Sequence, residues 1–294
     1  MTGLVATANL LKDHYWPLIK SRQTFLLTFT GVAGYLCRLS SPVDWRLFPG
    51  LVVSQLFTIS GCTVLNMLLD RDTDRKMVRT RLRPLAARQV HPGTALLVGT
   101  LLIIMGLFIA AILSRLYLGI ILAGVCLNVL VYTLWLKRRS AWSILWGGLA
   151  GGMPILAGSV LAVGHIDALG VLLALIIVCW IPSHNPTLSS LYKTDYLDAG
   201  IPTFMSSYGV TTVNILVTFS SLLVAILVMI VSTQLGLSAL GMAFMFATSL
   251  GLVGLGVLTW INPSLKLTAL MYKYSSLYML VAMLVLSFGG LVRG

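Results

Sequence analysis

Three oxygen-bearing side chains recur at four-residue steps in Asn66-Met-Leu-Leu-Asp70-Arg-Asp72-Thr-Asp74-Arg-Lys-Met. On a helix Asn66, Asp70 and Asp74 share one face. An amide and two carboxylates are hard oxygen ligands of the type Mg2+ prefers, and they leave coordination positions for water and phosphate oxygens. Basic residues continue as Arg79, Arg81 and Arg83 before Pro84, and a guanidinium fork grips phosphate oxygens. Metal ligands next to such donors suit a metal–diphosphate site. A solvated helix end, with Asp70, Asp72 and Asp74 paired to Arg71, Arg75 and Lys76, accounts for the aspartates alone about as well. Positive charge placed by topology, however, does not demand aspartates among the arginines.

A second acidic cluster reads Tyr192-Lys193-Thr-Asp195-Tyr-Leu-Asp198-Ala-Gly200-Ile-Pro202, with Gly200 and Pro202 marking a helix end. Asp195 and Asp198 share a face, and a second metal ion would neutralise a diphosphate leaving group better than one alone. The plain alternative is a wet loop with Lys193 as partner. Between the clusters, Tyr132-Thr-Leu-Trp135-Leu-Lys137-Arg138-Arg139 ends an apolar run in three bases. Topogenic charge explains them, and Tyr132 and Lys137 are also candidate phosphate contacts. His184 and Asn185, within Trp180-Ile-Pro182-Ser-His184-Asn185-Pro186, lie on a kinked segment before the second cluster. They are candidates for the substrate side, against the alternative of a hydrogen-bonded core histidine. Glycines 147, 148, 151, 152 and 158, with Pro154, mark a run of small residues suited to close helix packing.

The elements that must position these residues are membrane helices. Of 294 residues, 58% are hydrophobic and 10% charged, against roughly a quarter charged in soluble domains. Apolar runs near 23–39, 48–69, 93–114, 116–136, 142–164, 166–188, 209–232, 235–260 and 267–291 predict an all-α integral membrane protein with nine spans. Residues 1–12 show no leader of the cleaved type. With a cytoplasmic N-terminus, Lys12, Lys20, Arg22, the loop after the second span, Lys137 to Arg139, Lys193, Lys266 and Lys273 all face the cytoplasm, leaving Arg38, Arg46, Arg115 and Arg293 outside. The net charge of +12 therefore reads as topology and not as a nucleic-acid surface. The same orientation puts both acidic clusters, and with them five of the eight acidic residues, on the cytoplasmic side. Cys37, Cys62, Cys126 and Cys179 show no metal or redox spacing. Four apolar runs separate the two clusters, which hints at a duplicated four-helix unit.

Taken together these residues resemble the UbiA superfamily of intramembrane prenyltransferases, whose first motif is an Asn or Asp followed by aspartates at four-residue steps. Asp70-Arg-Asp-Thr-Asp-Arg-Lys-Met-Val-Arg-Thr-Arg-Leu-Arg-Pro-Leu is similar to the protoheme IX farnesyltransferase (heme O synthase) branch. So are Leu18-Ile-Lys20-Ser-Arg22-Gln-Thr, Tyr132 to Arg139, the 147–154 stretch and the 192–202 motif. Two departures stand out: Asp195 and Asp198 are three apart where many members have four, and Ser183-His184-Asn185 replaces part of a Pro-Pro-His-aromatic segment. The resemblance implies one polytopic domain over 1–294 around a central cavity, with motifs at 66–84 and 192–202. It implies Mg2+ on Asn66, Asp70, Asp74, Asp195 and Asp198, with Asp70, Asp74 and Asp195 catalytic. Arg22, Arg81, Lys137, Lys193 and Tyr132 would bind diphosphate, and His184, Asn185 and Tyr192 would face the acceptor. The donor implied is farnesyl or geranylgeranyl diphosphate. The acceptor implied is heme b, with a quinone precursor or a glycerol-phosphate lipid as alternatives. A cation-coupled transporter is the rival class, although its ionisable groups belong near mid-membrane and not at one face.

Overall fold

A computed structural model of the chain describes residues 16–39, 44 and 46–293; the expectations for residues 1–12, Lys12 among them, lie outside those described. After a short 3-10 turn at Trp16–Ile19 come α1 (Ser21–Leu36), α2 (Leu47–Asp74), α3 (Pro92–Leu113) and α4 (Arg115–Val125). The last continues into a π-helical segment, Cys126–Leu136. Then follow α5 (Ser143–Val163), α6 (Ala168–Leu191), short α7 (Lys193–Asp198), α8 (Phe204–Gln234), α9 (Ala239–Ile261) and α10 (Leu265–Arg293).

Long Leu, Ile, Val and Ala runs supply the helices, and polar caps supply their starts. The Asp167 carboxylate accepts from the Gly170 N–H at 2.9 Å to open α6. Thr203 and Ser206 form a capping box at the start of α8. The α8 path breaks at Gly209 (φ 79°, ψ 175°), a left-handed position that favours glycine, so the long span begins where the hydropathy pattern places it.

Eight helices among the described residues are long and apolar enough to cross a membrane. The expected run at 23–39 corresponds to α1, whose 16 residues span about 24 Å at 1.5 Å per residue. Lys20, in a left-handed conformation at φ 44°, cuts α1 off from the preceding turn and sets its start.

Side by side, α1, α2, the π segment, α5, α6 and α10 form a closed circuit, because α1 packs on α2, α5 and α10, and α6 packs on α5 and α10. Outside this circuit α3 lies along α2, and α8 and α9 pack against α6 and α10. Lipid offers no hydrophobic drive for helix association, so close contact between small residues must provide it. A Cβ at Gly158 would lie 1.9 Å from the Gly31 carbonyl oxygen, and one at Gly34 would lie 2.1 Å from that of Ile155, which brings α1 and α5 into backbone contact. The predicted packing role of the 147–158 glycines holds for Gly158, and for Gly152, where a Cβ would come 3.1 Å from the Ala174 carbonyl of α6.

Candidate functional site

Inside the circuit lies a cavity of about 670 Å3, polar at one end and apolar along its body, within the size range of ligand sites. The polar end is built on the last turns of α2. Asn66, Asp70 and Asp74 all line it, because four-residue steps on one continuous helix return to the same face. Asp70 and Asp74 are only 3% and 4% exposed, and buried carboxylates must be paired or bound to cations. Asp70 forms an ion pair with Lys137. Asp74 receives Arg83 Nη1 on both oxygens, at 2.9 and 2.8 Å. Neither aspartate uses the neighbouring bases of its own helix; only Asp72, at the exposed surface, pairs locally with Arg75 and Arg71.

The π winding of 126–136 is the least expected element. Its i to i+5 pattern, seen in Lys137 N–H donating to the Tyr132 carbonyl at 2.8 Å, brings Asn128, Tyr132 and Lys137 to the cavity wall together. Gly147 on α5 leaves room for the Tyr132 ring, which a Cβ there would meet at 3.3 Å. Burial alone would lower the Lys137 pKa, but Asp70 offsets it and holds the ammonium above the ordinary lysine value.

Lys20 also lines the cavity. Burial pushes its ammonium down from 10.5 to about 7, with Arg83 and Lys137 adding to the fall and Asp70 and Asp74 opposing it. A cation held near its titration point beside other cations is charged readily by an incoming anion.

The second segment meets the first through a carboxylate that does not line the cavity, while its Tyr196, Ile201 and Pro202 do. Asp195 Oδ2 accepts the Arg79 backbone N–H at 3.1 Å, tying α7 to the loop after α2. The Arg79 guanidinium lies 5.2 Å over the Tyr192 ring. Arg79 and Tyr196 reach the cavity; Asp195, Asp198, Tyr192, Lys193 and Arg81 are not among its lining residues. Arg22, Lys137, Tyr132, His184 and Asn185 are. Sequence reasoning missed Lys20 and Asn128, and of the three arginines it named as phosphate donors, Arg79 and Arg83 line the cavity while Arg81, the one assigned to the diphosphate, does not. Arg83 sits two residues beyond the predicted Arg81, and the turn at residues 77–83 decides which arginine turns inward. Asn128, one four-residue step before Tyr132, was the one legible signal overlooked.

The Asn66 side-chain oxygen is buried and has no hydrogen-bond partner among the described residues. An unpaired hard oxygen beside two carboxylates is the donor set a divalent cation takes. Among the described residues no three His, Cys, Asp or Glu side chains converge on one point, so an ion held here takes its remaining ligands from water or from a phosphate.

Fold and site thus define a multi-pass membrane protein built around a cavity with carboxylate, amide and cationic side chains at one end. A sequence profile described as the UbiA prenyltransferase family matches residues 27–263, and the chain belongs to that family. The protoheme IX farnesyltransferase of Thermofilum pendens is 37% identical over 227 residues, covering 77% of this chain and 80% of the relative. That of Pyrobaculum islandicum is 31% identical over 277 residues, covering 94% and 99%. A solved structure described as digeranylgeranylglyceryl phosphate synthase superposes with a TM-score of 0.81 at 18% identity over 97% of this chain and 99% of that one. A UbiA homologue from Archaeoglobus fulgidus bound to GPP and Mg2+ superposes with a TM-score of 0.69 at 15% identity over 93% and 99%. The structural likenesses speak for the fold.

Proposed function

We propose that this protein transfers a prenyl group from a prenyl diphosphate to heme b within the membrane, in a Mg2+-dependent reaction. The observation that carries the reading is that Asn66, Asp70 and Asp74 share one cavity wall with Lys20, Arg83 and Lys137, beside an apolar lining. The names of the relatives support heme as acceptor. Asn66, Asp70 and Asp74 would hold the metal, whose charge when bound stabilises the departing diphosphate. Lys20, Arg22, Arg83 and Lys137 take the diphosphate oxygens and draw the donor's anionic end to the polar mouth. Leu26, Leu27, Ile177, Ile181 and Met279 enclose the prenyl chain and keep water from the allylic cation. The Tyr132 and Trp180 faces steady that cation by up to about 2 kcal/mol each. We further propose nine spans, α1 being the first, a cytoplasmic N-terminus, and a single domain whose diphosphate end opens to the cytoplasm.

The test is diphosphate release by the purified protein with farnesyl or geranylgeranyl diphosphate, offering heme b, an aromatic acceptor or a glycerol phosphate. Heme-specific turnover that EDTA abolishes is the expected result. Turnover on another acceptor overturns the heme assignment, and no metal-dependent binding or turnover with any donor favours transport.

Lys20 makes donor binding pH-dependent. Its ammonium is charged below about 7 and loses its proton as pH rises, so a donor that binds the charged form must bring a proton with it. Donor affinity is expected to fall by up to about tenfold per pH unit above 7, the limit for one linked proton. Lys20→Arg, measured over the same range by donor-analogue titration, is expected to flatten that slope and so separate it from ionisation of the diphosphate itself.

Asp195 has two readings that kinetics separate. If it only secures the Arg79 loop, Asp195→Ala raises the donor KM by about tenfold, as lost uniform binding does, and spares kcat. A kcat loss as large as that of a ligand aspartate would assign it to a second metal ion, as in the family pattern.

A further inference from the structure

His184 sits in α6 between Pro182 and Pro186, its ring held on both faces. Trp180 stacks on one side at 4.5 Å between centroids and 17° between planes, and Tyr272 of α10 stacks on the other at 4.6 Å and 22°. Trp180 is itself anchored, its Nε1 donating to the Ser275 carbonyl at 2.9 Å. The His184 Nδ1 lies 3.1 Å from Ser275 Oγ and 3.4 Å from Ser276 Oγ.

Those two serines face Nδ1. Each hydroxyl donates its single proton to the Tyr272 carbonyl, at 3.1 Å from Ser275 and 2.8 Å from Ser276. With their protons placed there, both oxygens face Nδ1 as acceptors, and the tautomer that matches has its ring proton on Nδ1 and its lone pair on Nε2. Nε2 receives no hydrogen bond from the described residues, and the ring lines the cavity together with Asn185, Ser276, Met279 and Met283.

An imidazole stacked on both faces, with two hydroxyls at Nδ1, no hydrogen bond at Nε2 among the described residues and a cavity beside the ring, is arranged as a metal ligand. Among the described residues His184 belongs to no group of three or more metal-ligating side chains. A single nitrogen suits an iron whose equatorial positions a porphyrin already fills. We propose that His184 Nε2 is an axial ligand to the iron of the heme acceptor, holding the porphyrin in the apolar body with an edge toward the diphosphate end. The Nε2 lone pair forms the iron–nitrogen bond and displaces at most a bound water, with no change in oxidation state. This inference rests on the heme reading above.

Ferric heme b titrated into the purified protein is expected to give the absorption spectrum of a histidine-ligated heme. In His184→Gly the spectrum is expected to become that of unligated heme, with heme Kd weakened tenfold or more, and added imidazole to restore the ligated bands. Metal-free protoporphyrin IX, which has no iron to ligate, is expected to bind both proteins alike. Identical heme spectra in wild type and variant overturn the ligation while leaving heme prenylation intact. Wild type that turns over another acceptor but neither binds nor prenylates heme overturns the heme reading, and the ligation with it. Should the glycine variant not fold, Ser275→Ala combined with Ser276→Ala keeps the ring and removes both acceptors at Nδ1. A shifted ligation spectrum is then expected, and an unchanged one overturns the proposal.

Discussion

Asp74→Ala is expected to lower kcat for prenyl transfer by about 10³-fold, the scale on which removing one electrostatic contact to the transition state acts in a dry site. Two losses coincide at this residue. The proposed metal site loses a carboxylate, and Arg83 loses the partner that meets it at 2.8 and 2.9 Å. Breaking a buried pair from one side costs about 3–5 kcal/mol, and Arg83, with its side chain 26% exposed, recovers part of that through water. The two losses separate in a cycle. Adding Arg83→Ala to Asp74→Ala is expected to restore thermal stability, because the orphaned charge is gone, and not to restore turnover. Mg2+-dependent activity in Asp74→Ala above a tenth of wild type would place the metal elsewhere.

Gly158→Leu is expected to cost roughly 3 kcal/mol or more of stability, the upper range for overpacking, and to abolish donor binding. Its Cβ would meet the Gly31 oxygen at 1.9 Å, the Gly31 carbonyl carbon at 2.9 Å and the Tyr35 nitrogen at 3.0 Å. All three are backbone atoms of α1, so no rotamer change relieves the clash and α1 must move away from α5. That helix carries Arg22, Gln23, Leu27 and Thr30 to the cavity, which links the packing defect to function. Gly254→Leu on α9 is the control, since a Cβ there meets nothing within 4 Å; it is expected to leave thermal unfolding in detergent unchanged. Equal melting points for the two variants would show that α1 and α5 are not in backbone contact.

Much of the site was legible because it obeys a local rule. Asn66, Asp70 and Asp74 fall on one face through helix periodicity alone, and the spans follow from length and hydropathy. What escaped depends on contacts between segments distant in the chain. Arg83 and not Arg81 reaches Asp74 because residues 77–83 turn before Pro84. Lys137 reaches Asp70 across 67 positions because the end of the π segment packs on α2. Asp195, expected as a metal ligand, accepts the Arg79 backbone N–H on one carboxylate oxygen, a contact that spacing does not show.

Composition and spacing by themselves determined that the chain is a helical membrane protein with an acidic, cation-flanked site at the end of its second apolar run. Burial of 20-residue apolar stretches and the helical repeat are properties of local sequence. The tertiary structure alone decided which cations face the cavity, how far burial shifts Lys20, and which ring nitrogen of His184 meets hydroxyl groups. Those depend on which groups from other helices lie within a few ångströms, and both electrostatic and hydrogen-bond energies fall off over that distance.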